Sequence, residues 1–98
     1  MGYNTYYKIS VDDDKLEQYI EEIRSVSGYS NFEESITWYD WQNDMQRVSQ
    51  KYPEVTFRID GDGDESGDVW AAWFKNGKVK KWRLVVSRPK GFNPPGGW

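Results

Sequence analysis

The sequence predicts an α+β domain built as a two-layer sandwich: an antiparallel or mixed sheet of four to five strands, with two helices on one face. Three observations predict it. Runs with period-two alternation lie near both ends of the chain, two runs with helical spacing lie between them, and Asn76-Gly77 separates two further strand-like runs. Amphipathic helices and sequence-adjacent strands bury their apolar faces most simply as two layers.

Each element has its own reason. Tyr3, Thr5, Tyr7, Ile9 and Val11 alternate with Asn4, Lys8 and Ser10, which makes a half-buried strand. Asp12, Asp13 and Asp14 suit the start of a helix, as caps and as charges at its positive end. Leu16, Tyr19, Ile20, Ile23 and Val26 then fall on one stripe, giving a helix over about residues 13 to 27 that Gly28 ends. Residues 28–34 read as a loop, and 35–39 as a short strand. Asp40 is placed to cap a second helix, striped by Trp41, Met45, Val48 and Tyr52 and stopped by Pro53. Val55, Phe57 and Ile59 make a strand, 60–68 an acidic turn, 69–74 and 79–86 a hairpin about Asn76-Gly77. This order is related to a ferredoxin-like sandwich, with the strand order left open. Residues 1–87 form the domain, and 88–98 form a tail rich in Pro and Gly.

Composition limits the chemistry. The 98 residues include no Cys and no His, so neither a disulfide nor a thiolate or imidazole metal site can form. Six Trp, seven Tyr and four Phe supply the core instead, and are numerous enough that some should be exposed. The net charge of −3 argues against binding long nucleic acid. No run approaches the length of a membrane span and no signal peptide is visible, so the expected setting is cytoplasmic.

Lys51-Tyr52-Pro53, then Gly67-Asp68-Val69-Trp70, then Lys75-Asn76-Gly77-Lys78 carry a resemblance. They resemble a group of small uncharacterised bacterial and phage proteins, similar in layout to the ferredoxin-like domains of YubB-type proteins. The resemblance spans about residues 38–80. It implies an accessory gene of a mobile element and no particular activity.

Four places are candidates for function. In the acidic turn, Asp60, Asp62, Asp64 and Asp68 match the first, third, fifth and ninth positions of a calcium loop. Glu65 stands where that loop needs Gly, Ala71 stands where it needs a bidentate Glu, and the flanks read as strands. A solvated connection between strands is the plainer reading.

In the hairpin, a two-residue turn sets Phe74 opposite Val79, Ala72 opposite Lys81 and Trp70 opposite Arg83. One face then carries Trp70, Phe74, Lys81 and Arg83, and is expected to be an open aromatic and basic binding surface. The other carries Val69, Ala71, Trp73, Trp82 and Leu84, and is expected to pack on the helices. A cover over Trp70 and Phe74 by the tail is the alternative. Trp38 is either core or the wall of a pocket. The terminal Pro94-Pro95-Gly96-Gly97-Trp98 is a tether, a docking peptide or a cover for the sheet.

Catalysis finds little support: no side chain sits in an activating motif, and Glu33 and Glu34 would point to opposite faces of a strand, which leaves a small hydrolase or nuclease using Asp62 and Asp64 of the acidic turn with magnesium as a third reading. The expectation is a non-enzymatic binding protein without a cofactor, engaging a protein partner or a small nucleotide-like ligand through exposed aromatics, with an anti-defence role as one version. A regulatory domain with a calcium-binding turn is the alternative. A homodimer through an exposed face fits the sequence equally.

Overall fold

In the computed structural model, which describes residues 4–30, 32, 34–63, 68–83 and 89–98, the chain is a four-stranded sheet with two helices. The elements are β1 (Thr5–Val11), α1 (Leu16–Ser27), α2 (Trp41–Lys51), β2 (Phe57–Gly63), β3 (Val69–Lys75) and β4 (Lys78–Arg83). Every strand pair is antiparallel and the order is β1-β2-β3-β4. The chain is therefore α+β in two layers, as the alternating and helical runs predict. Its connectivity is a plain meander with both helices inserted between β1 and β2, whereas a ferredoxin-like chain places one helix in each of two crossovers.

The hairpin follows its turn chemistry. Asn76 and Gly77 both have positive φ (49° and 79°), and Phe74, Ala72 and Trp70 lie opposite Val79, Lys81 and Arg83. Gly28 ends α1 at φ 81°, its N–H donating to Arg24 O. The capping aspartates behave differently from expectation. Helix α1 starts at Leu16, and Asp13 accepts from the Lys15 N–H at 3.0 Å just before it. Asp40 occupies the N-cap of α2 but makes no side-chain cap bond. The expected strand over 35–39 reduces to one bridge, Ile36 with Thr5.

The expected faces of the hairpin are exchanged. Trp70 (7% exposed) and Phe74 (0%) pack under the helices with Tyr7, Ile9, Phe57, Ile59, Met45 and Val48. The cause lies in β2, which pairs Phe57 with Phe74 and Ile59 with Ala72, and so fixes the parity of β3. The opposite face of β2 carries Arg58 and Asp60, which could not face a helix layer cheaply. Trp73 is nonetheless fully buried, because the tail covers that second face. Trp73 Nε1 donates to Gly91 O at 3.0 Å, and Arg58 donates to Gly91 O at 2.9 Å and Pro89 O at 2.6 Å. Leu84 lies outside the described residues. Among the described residues no helix is long and apolar enough to cross a membrane.

Candidate functional site

Strand parity and α2 together build a cleft at one end of the helix-side layer. Trp70 leans across the sheet over Gly61, its cross-strand partner; any Cβ at Gly61 would fall inside the Trp70 ring. Trp41, the first residue of α2, stacks on Trp70 with centroids 4.5 Å apart. Tyr7 meets both Trp70 (5.9 Å) and Trp38 (5.4 Å) edge-on. Trp38 is locked, its Nε1 donating to Asp44 Oδ2 at 2.7 Å. These rings, with Thr5, Tyr39, Asp68 and Arg83, line a cleft of about 220 Å³.

The rim of the cleft is polar. Arg83 Nη1 is 2.9 Å from Asp68 Oδ1, with the guanidinium largely exposed. Lys81 Nζ lies 5.8 Å from the centroid of the Trp41 ring. Tyr39 stands 77% exposed on the same rim. Burial pushes the Tyr7 hydroxyl pKa up from its ordinary 10.0, further from the neutral range in which it is already uncharged.

The structure therefore gathers Trp38, Trp70 and Arg83 around one cleft and sets Lys81 beside it. Trp70 and Trp38 are walls and supports, not exposed platforms. Phe74 is separate, fully buried and edge-on to Trp41 at 6.1 Å. In the sequence Tyr39 falls in an aromatic cluster with Trp38 and Trp41, where only Trp38 is a candidate pocket wall, Trp41 fits the core stripe and Tyr39 has no role of its own. A large aromatic immediately before a helix start was the available signal for Tyr39.

The acidic residues are placed differently from a calcium loop. Asp60 and Asp62 are part of β2, extended and paired on both sides with β1 and β3. Asp60 Oδ1 accepts from Arg58 at 2.9 Å, and Asp68 is tied to Arg83. An extended strand sends alternate carboxylates along one face and does not wrap them around an ion. Asp64 lies outside the described residues. Among the described residues no group of three or more acidic side chains is gathered to hold a metal.

A second and larger concavity, about 840 Å³, runs along β1 beneath α1. Ile9, Leu16, Ile20 and Phe32 supply its apolar lining, and Glu17 and Arg24 stand along its helical wall. Compared with known proteins, the chain matches no family model, no curated protein and no solved structure.

Proposed function

We propose that this chain is a cytoplasmic, non-enzymatic binding protein, of the bacterial or phage accessory kind, whose aromatic cleft takes a small planar anion of nucleotide type. The observation that carries the reading is the shared rim. Tyr39, the most exposed large aromatic among the described residues, borders the same cleft as the Arg83 guanidinium. An exposed ring offers a stacking face to any heterocycle. A guanidinium pairs with phosphate and also stacks. Lys81 adds a second cation within reach of Trp41.

Size supports the same ligand class. A cleft of about 220 Å³ falls below the roughly 300–1,000 Å³ of pockets for drug-sized molecules, and suits one heterocycle with its phosphate left at the rim.

Calorimetric titration with a panel of mono- and cyclic nucleotides tests the reading. Binding should weaken about tenfold in Tyr39→Ala and in Arg83→Ala, the scale of one stacking or charge-assisted contact. Lys78→Ala, on the other side of the hairpin, should bind as the parent does. A panel without a binder, or equal affinity in all three variants, would reject the cleft as a nucleotide site.

A further inference from the structure

The parity of β1 shows which of its backbone groups point towards β2 and which point away from it. Thr5 N–H donates to Ile36 O at 2.9 Å and Ile36 N–H donates to Thr5 O at 3.0 Å, so the polar groups of Thr5 point away from β2. Asp12 N–H donates to Thr56 O, on the β2 side. Alternation then directs the N–H and C=O of Tyr7, Ile9 and Val11 off the free edge of the sheet. No described residue pairs with them.

The two edges of the sheet differ. Strand β4 carries Lys78, Lys80, Lys81 and Arg83 in six residues, the usual protection against edge pairing. Strand β1 carries only Lys8, which lies opposite Asp60 of β2. Its free edge opens into the groove lined by Ile9, Leu16, Ile20 and Phe32.

We infer that β1 is a homodimer interface, its free edge pairing antiparallel with β1 of a second copy across a twofold axis at Ile9. The free stretch is bounded by the Ile36 bridge at Thr5 and by the turn after Val11, and Ile9 is its centre. One register uses all three outward residues: Tyr7 opposite Val11, Ile9 opposite Ile9 and Val11 opposite Tyr7. Lys8 then lies opposite Ser10, with no like charge directly across.

The helical wall fits the same symmetry. Glu17, Glu21 and Arg24 line the α1 side of the groove, with Arg24 paired to Glu21 of its own helix at 2.7 Å, and antiparallel α1 helices bring Glu17 of each copy towards that exposed Arg24 of the other. The half-buried Ile20 lies between Glu17 and Arg24, and the half-buried Leu16 sits one residue before Glu17. The result is a continuous eight-stranded sheet with all helices on one side. Its two outer edges are the lysine-rich β4 strands, so growth stops at two copies.

Sedimentation equilibrium of the full chain, with amide exchange on the same samples, tests the inference. The expected result is twice the mass of one chain, with Tyr7, Ile9 and Val11 amides as slow as those of Lys8 and Ser10. Glu17→Arg and Arg24→Glu should each weaken the dimer about threefold to tenfold, as two exposed pairs per dimer allow. The double variant should restore it, and misfolding in either single variant would not produce such a rescue. A monomer at millimolar protein overturns the inference, whether the three amides exchange fast or slowly. So does a dimer that leaves them exchanging fast, because it must use another face.

Discussion

Tyr19 joins a buried ring to an exposed carboxylate. Its ring meets Tyr52 at 4.8 Å and Phe57 at 5.3 Å, and its hydroxyl donates to Asp13 Oδ2 at 2.7 Å. The Asp13 carboxylate is held below its ordinary pKa by the Lys15 N–H first and this hydroxyl second. The Tyr19 hydroxyl is pushed up to about 12 from 10.0 by the bond to Asp13, then by burial. The two shifts act at opposite ends of the pH scale. Raised in the fold, the Tyr19 pKa stabilises fully below pH 10.0, and that contribution is lost as pH rises through about 12. Lowered in the fold, the Asp13 pKa stabilises above the usual carboxylate range, and that is lost as pH falls through the folded value. Tyr19→Phe should flatten the alkaline loss and weaken the acid one in urea midpoints measured across pH. Unchanged limbs at both ends would show that this bond is not held in solution. Asp13 is legible in the sequence as a helix-start carboxylate; its tie to Tyr19 is not, because the stripe gives a residue's face and not where its polar tip reaches.

At the scale of elements, α2 is pinned to the hairpin turn by side chains. Ser49 Oγ accepts from Gly77 N–H at 2.8 Å and donates to Gln46 O at 2.9 Å, while Gln46 Nε2 donates to Gly77 O at 3.0 Å. Both polar groups of the turn glycine are thus satisfied from the helix. Ser49 is fully buried and Gly77 half-buried, so Ser49→Ala leaves the Gly77 N–H without its partner in a partly enclosed place. Chemical denaturation should show a loss of about 1–2 kcal/mol, and amide exchange at Gly77 should accelerate. The same stability as the parent would mean that the turn does not depend on α2. The helices, the strands and the Asn76-Gly77 turn were readable from spacing and positive-φ chemistry, which are local. Which face of β3 meets the helices was not, because Trp70, Phe74, Trp73 and Trp82 give both faces an aromatic character. Arg58 and Asp60 on one side of β2, against Phe57 and Ile59 on the other, decide the parity through pairing. The cleft at Tyr39 and Arg83 stayed hidden for the same reason, since it exists only once Trp70 turns towards α2.

The molecule as a whole is a two-layer fold in which a terminal segment covers the open side. Among the described residues no helix packs on the face that carries Arg58, Ala71 and Trp73; the tail from Pro89 does so instead. Arg58, only 7% exposed, lies 5.1 Å from the Trp73 ring centroid and bonds to two tail carbonyls and Asp60. The tail's proline and glycine content suits this, since an irregular chain leaves carbonyls free to accept from a guanidinium and an indole. A chain ending before Pro89 would keep the Arg58–Asp60 pair, lose three hydrogen bonds and open Trp73 to water. Burial of one large aromatic and the loss of charge-assisted bonds together set the expected cost at about 3 kcal/mol or more. The truncated protein should therefore melt lower and bind an apolar dye. Arg58→Met separates the two contributions: it removes the bonds to the tail but retains apolar contact with Trp73. If the tail is held mainly by covering Trp73, Arg58→Met should be milder than truncation and leave dye binding low. If the guanidinium is the anchor, the two variants should behave alike. A truncated chain as stable as the parent would show that the sheet needs no cover on this face.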